Sequence, residues 1–103
     1  MSDVLVRIKR AVLAGRYVFS EKARLEMDAD NLSDQDVVES ILNAMAIYKT
    51  IRSTSPLRTG RREMLHIIVG KNWSGVSIYT KGKLASETGA ETYYFLISSK
   101  RAF

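Results

Sequence analysis

Residues 33–53 read SDQDVVESILNAMAIYKTIRS, and a change of period inside this stretch decides the fold. In its first half Val37, Val38, Ile41, Leu42 and Met45 recur at helical spacing. Ser33, with Asp36 three residues on, is an N-terminal capping signature, and the acids around it suit the positive end of a helix dipole. From Ala46 the apolar residues alternate instead, so AIYKTIRS (46–53) is expected to be a strand. A helix that hands over to strands without a linker belongs to a single α+β layer structure.

Upstream the chain is helical. DVLVRIKRAVLA (3–14) puts Val4, Leu5, Ile8, Ala11 and Val12 on one face, and Gly15 is a natural stop. Tyr17-Val18-Phe19 is short and β-prone, a brief extended entry. Ser20 then caps SEKARLEMDADN (20–31), which turns Ala23 and either Leu25 or Met27 inward before a break at Asn31-Leu32. Downstream the chain is β-rich. STSPLRTGRR (53–62) is a loop, EMLHIIVGK (63–71) a central strand, and Asn72–Gly75 a turn. GVSIYTKG (75–82) is the next strand, KGKLASETGAE (81–91) a loop with a basic start, and ETYYFLISSKR (91–101) a buried closing strand. The short connections imply antiparallel pairing. The expectation is one domain over residues 1–103: two to three N-terminal helices on one face of an antiparallel sheet of about four strands.

Charge divides along the same line. Residues 1–47 carry six Lys/Arg against eight Asp/Glu; residues 48–103 carry ten against three. A basic half concentrates polyanions near it. The chain has no cysteine, which removes disulfides, thiolate metal sites and thiol nucleophiles. No apolar run approaches the ~18 residues of a spanning helix, and the first residues do not form a signal peptide, so a cytoplasmic protein with no membrane partner is expected. Phosphate-loop, dinucleotide and HExxH motifs are missing, and one histidine, His66, cannot build a multi-histidine metal site. The helix carboxylates stand at the spacing of a solvated face.

Cations, one imidazole and several tyrosines remain. That set suits cleavage of RNA by its own 2′-hydroxyl, which needs a base, cations for the charge on phosphorus and an acid for the leaving oxygen, but neither metal nor cofactor. Guanidinium forks match phosphate, so the loop residues Arg58, Arg61 and Arg62 are candidates to grip the backbone, flanked by Arg52 and Arg101. Trp73, exposed by its turn, could stack on a base. Tyr48, Tyr79, Tyr93 and Tyr94 read first as sheet packing.

VRIKRAVLAGRYVFSEKA, FSEKARLEM with LSDQDVVESILN, IYKTIRST and the tail LISSKRAF together resemble the MqsR toxins and related DUF4258-type domains of the wider RelE-like group, over roughly residues 6–101. The resemblance implies a messenger-RNA endoribonuclease, free or on the ribosome, that is neutralised by a cognate antitoxin. It puts the family's strand lysine at Lys49 and its terminal basic residue at Lys100. The family's glutamine and tyrosine have no clean match, His66 standing nearest the tyrosine, and Lys22 occupies a position that is usually histidine. Lys81–Glu91 is longer than in the MqsR pattern. The implied catalytic set is therefore Lys49, His66 and Lys100 converging on one phosphodiester. Two readings stand beside it: a non-catalytic nucleic-acid-binding domain of the same fold, and a protein-interaction module using a strand edge or Trp73.

Overall fold

The computed structural model describes residues 2–53, 63–86 and 92–103. In chain order the elements are α1 (Asp3–Leu13), β1 (Tyr17–Phe19), α2 (Glu21–Ala29), α3 (Asp34–Asn43), β2 (Lys49–Arg52), β3 (Met64–Lys71), β4 (Ser77–Ala85) and β5 (Tyr93–Arg101). Each helix begins on a serine whose hydroxyl accepts an otherwise orphaned amide: Ser2 from Leu5, Ser20 from Ala23, and Ser33 from Asp36 in a reciprocal capping box. Two residues past the end of α1 stands Gly15, and two past the end of α2 Asn31, both with positive φ, the left-handed turn that these residue types tolerate best.

The strands form one sheet in the order β1-β5-β4-β3-β2. β2 through β5 are antiparallel neighbours, as expected. The short segment Tyr17–Phe19 is a fifth strand, and it runs parallel to β5, so the sheet is mixed. Its partners lie more than seventy residues away (Tyr17 beside Tyr94), a pairing that no local pattern announces. β4 continues to Ala85, where the sequence suggested a loop from Lys81. Gly82 does not end that strand. It lies beside a bulge and lets the Tyr94 ring pack against its backbone, since a Cβ there would sit 2.7 Å from that ring.

Residues paired across neighbouring strands share a face. Phe19, Ile68, Ile78, Tyr94 and Leu96 fall on one face and join Leu5, Ile8, Met27, Val37 and Ile41 in the core. All three helices therefore cover the same side. Met27 is the inward residue of α2 and Leu25 is solvent-exposed. α3 ends at Asn43, two residues before Met45, which is expected on its apolar stripe and is instead exposed. Gly70 brings α3 against β3 so closely that any Cβ would collide with the Ser40 carbonyl.

Glu21 and Asp28 are exposed, as the helix spacing suggests, but Glu26, Asp30, Asp36 and Glu39 are turned to the sheet. β1 ends at Phe19, which leaves the outer edge of β5 without a strand beyond Leu96. There the Ser99 amide donates to Glu26 (3.2 Å) and the Arg101 amide to Asp30 (2.8 Å). Four helical residues rise ~6 Å and two strand residues ~6.7 Å, so carboxylates at i and i+4 match amides at i and i+2. On α3, Glu39 accepts the Trp73 amide (3.0 Å) and Asp36 accepts from the Asn72 side chain (3.0 Å), which fastens the β3–β4 turn. No helix among the described residues is long and apolar enough to cross a membrane.

Candidate nucleic-acid interface

The face away from the helices follows from the strand register. Lys49, Ile67, Lys81 and Ser98 form one row across β2 to β5. The next row on one side is Val69, Tyr79 and Lys100; on the other side lie Ile51 with Leu65, and Lys83 with Phe95. Lys71, opposite Ser77, extends the face toward the turn. Lysines thus alternate with aromatic and aliphatic side chains on a surface that the helices leave open. Among the described carboxylates, Glu26 reaches its rim, accepting the Ser98 hydroxyl at 2.7 Å, and Glu63 reaches Lys83.

Two ammonium groups lie over rings of the partner strand. Lys100 Nζ is 5.4 Å from the centroid of Tyr79, and Lys83 Nζ is 5.7 Å from that of Phe95. Such contacts hold a cation near the sheet without cancelling its charge. Lys83 is neutralised differently, by Glu63 at 2.6 Å. Lys100 and Lys22 share Glu26 Oε2 at 3.9 and 3.8 Å, too long for a directional bond. Lys49 and Lys81 form no ion pair among the described residues.

Of the residues expected to form the site, Lys49 and Lys100 emerge on this face, with β3 and β4 between their strands. His66 does not join them. It is next to Lys49's partner Ile67, and strand side chains alternate, so the imidazole points to the helix side. There it is buried, with Nδ1 3.1 Å from Thr50 Oγ1, and burial pushes its pKa below the ordinary 6.5. A convergent Lys49–His66–Lys100 site is therefore corrected: the two lysines and the imidazole lie on opposite sides of the sheet.

The flanking candidates also scatter. Arg52 pairs with Met64 and has the parity of His66, at the outer edge of β2. Arg101 pairs with Ile78 on the helix side, and its amide is held by Asp30. Trp73 is exposed, as expected of a turn, but sits at the far end of β3 from Lys49. Arg58, Arg61 and Arg62 lie outside the described residues. Reasoning from the sequence assigns Tyr79 only a packing role and leaves Lys81 and Lys83 without one. Their signal is the i, i+2, i+4 alternation of SIYTKGKL, cut short before Lys83 when the strand is ended at Gly82.

Among the described residues no three His, Cys, Asp or Glu side chains gather where they could hold a metal ion. No family model, curated protein or solved structure matches the chain.

Proposed function

We propose that the chain is a metal-independent endoribonuclease of the toxin kind, acting on messenger RNA in the cytoplasm and held in check by a cognate antitoxin. The observation that carries this reading is the shared face of Lys49, Tyr79, Lys81 and Lys100, with none of the described helices over it. A single strand laid across β2–β5 meets ammonium groups for its phosphates and rings for unstacked bases.

In the reaction the 2′-oxygen attacks phosphorus and the bond to the 5′-oxygen breaks, leaving a 2′,3′-cyclic phosphate and a 5′-hydroxyl. Lys100, beside Tyr79, offsets the charge that builds on the phosphoryl oxygens, while Lys81 and Lys49 hold the neighbouring phosphates along the strand. The Tyr79 phenol, beside Lys100, supplies the proton taken by the leaving 5′-oxygen, and the 2′-hydroxyl proton passes to solvent. This assigns to Tyr79 the acid role that His66 cannot fill from the other side of the sheet. One observation favours the alternative of a non-catalytic RNA-binding domain: the only imidazole faces away from the lysines.

The test is incubation of the purified chain with a defined single-stranded RNA in EDTA, with Lys49→Ala, Lys100→Ala and Tyr79→Phe beside it. Cyclic-phosphate ends formed by the native chain and reduced at least tenfold in each variant support the nuclease. Intact RNA that is bound in a salt-dependent way supports the binding domain and ends the nuclease proposal.

A further inference from the structure

The two edges of the sheet are treated differently. On the β1 side, α2 supplies carboxylates to the β5 amides that β1 leaves uncovered. On the other side β2 is the terminal strand, and no described residue pairs with its outer edge. The Ser53 amide donates to the Glu63 main-chain carbonyl (2.8 Å), so in this antiparallel ladder the amides of Lys49 and Ile51 also face β3. Those of Thr50 and Arg52 face outward. An uncovered strand edge is a template for another strand, and natural sheets commonly guard it.

A groove adjoins this edge on the helix side, where α1 and α3 stop short of β2. It encloses about 760 Å³, and Val4, Met45, Ile47, Tyr48 and Met64 line it, with His66 among them. Met45 is 88% exposed and Tyr48 75%, a concentration of large apolar surface at one strand edge. β2 itself carries Lys49 and Arg52 and no carboxylate.

From these features we infer that β2 and its groove receive an extended segment of a partner protein, one that alternates apolar and acidic residues. Side chains of an added strand alternate between the faces. One set enters the groove beside Met45, Tyr48 and Met64; the other lies beside Lys49 on the open face. Charge selects the occupant. A second copy of this chain would bring its own Lys49 and Arg52 within about one Debye length (~8–10 Å) of the first pair, so like charges oppose self-pairing. The acidic side chains of an alternating strand meet Lys49 on the open face favourably. RNA has no apolar side chains to fill the groove. This docking does not depend on whether the open face cleaves RNA.

The test uses the whole chain and a blocked nonapeptide in which Glu alternates with Leu and Val. Fluorescence anisotropy measures binding, and sedimentation reports self-association. N-methylation of the peptide amides that would face β2 should weaken binding at least tenfold, and Lys in place of Glu should abolish it. Met45→Asp and Tyr48→Asp, both at exposed positions, should each weaken it at least fivefold while the thermal unfolding of the protein is unchanged. Failure of the peptide to bind, or equal binding by the N-methylated peptide or by Met45→Asp, would overturn the inference. A dimer, or RNA binding, that is lost in Met45→Asp would assign the groove to another occupant and overturn it as well.

Discussion

Removing lysines one at a time from the open face should change the salt dependence of RNA binding in an order set by the local charge balance. Each phosphate neutralised on a single strand contributes about −0.7 to the slope of log K against log salt. If Lys49, Lys81 and Lys100 each hold one phosphate, the slope is about −2, an ~18-fold loss of affinity between 50 and 200 mM salt. Lys81→Ala or Lys49→Ala should bring it to about −1.4, an ~7-fold loss over the same range. Lys100→Ala should remove less, because Glu26 at 3.9 Å already offsets part of its charge. Lys83→Ala should leave the slope nearly unchanged, since Glu63 lies 2.6 Å from that ammonium. The assay is anisotropy of a labelled, unstructured twelve-nucleotide RNA across five salt concentrations. Equal losses for Lys83→Ala and Lys81→Ala, or a native slope unaffected by the combined Lys49, Lys81 and Lys100 substitutions, would refute the reasoning.

Other consequences concern the framework. Gly70→Ala drives a methyl into the Ser40 carbonyl and must push α3 off the sheet, at a cost of about 2–3 kcal/mol. It should lower the melting temperature on the order of 10–20 °C for a domain of this size, whereas Gly82→Ala, whose methyl would lie 2.7 Å from the buried Tyr94 ring and 2.8 Å from the Phe95 carbonyl, makes a smaller overlap and should cost less. His66 has its pKa lowered by burial, so folding favours the neutral ring and stability falls as pH drops below the ordinary value of 6.5. Urea unfolding at pH 8 and pH 5 should show a larger difference for the native chain than for His66→Asn. Asp36 has its pKa lowered chiefly by the Ser33 amide bond, so its contribution is present above the ordinary 3.8 and disappears as pH falls through the lower native value. Asp36→Asn should therefore flatten the acid limb of the stability curve.

Much of this architecture can be read locally because each helix announces its start with a serine and its apolar stripe with 3.6 spacing. The facing of Lys49 and His66 cannot be read that way. Each parity is visible alone: Lys49 shares a face with Ile51, and His66 with Ile68. Whether the two faces coincide depends on the β2–β3 register, which pairs Lys49 with Ile67. That register is set across a loop, and a shift of one residue would have reversed the answer. Gly82 misled for a related reason. Glycine is depleted in strands, and its place here is explained by the Tyr94 ring from β5. Glu26, Asp30, Asp36 and Glu39 have the spacing of exposed helix acids. Their roles appear only when the ends and edge of the sheet bring amide donors to them.

Isoleucine methyl groups provide the most direct test, because they label both sides of the sheet. Ile51 and Ile67 lie on the open face, while Ile8, Ile41 and Ile68 lie beneath the helices. With a short single-stranded RNA carrying a paramagnetic tag, the Ile51 and Ile67 methyl signals should broaden while those of Ile8 and Ile41 stay sharp. Broadening confined to the helix side, or no broadening at Ile67 under conditions where the RNA is bound, would contradict an RNA site on the lysine-bearing face.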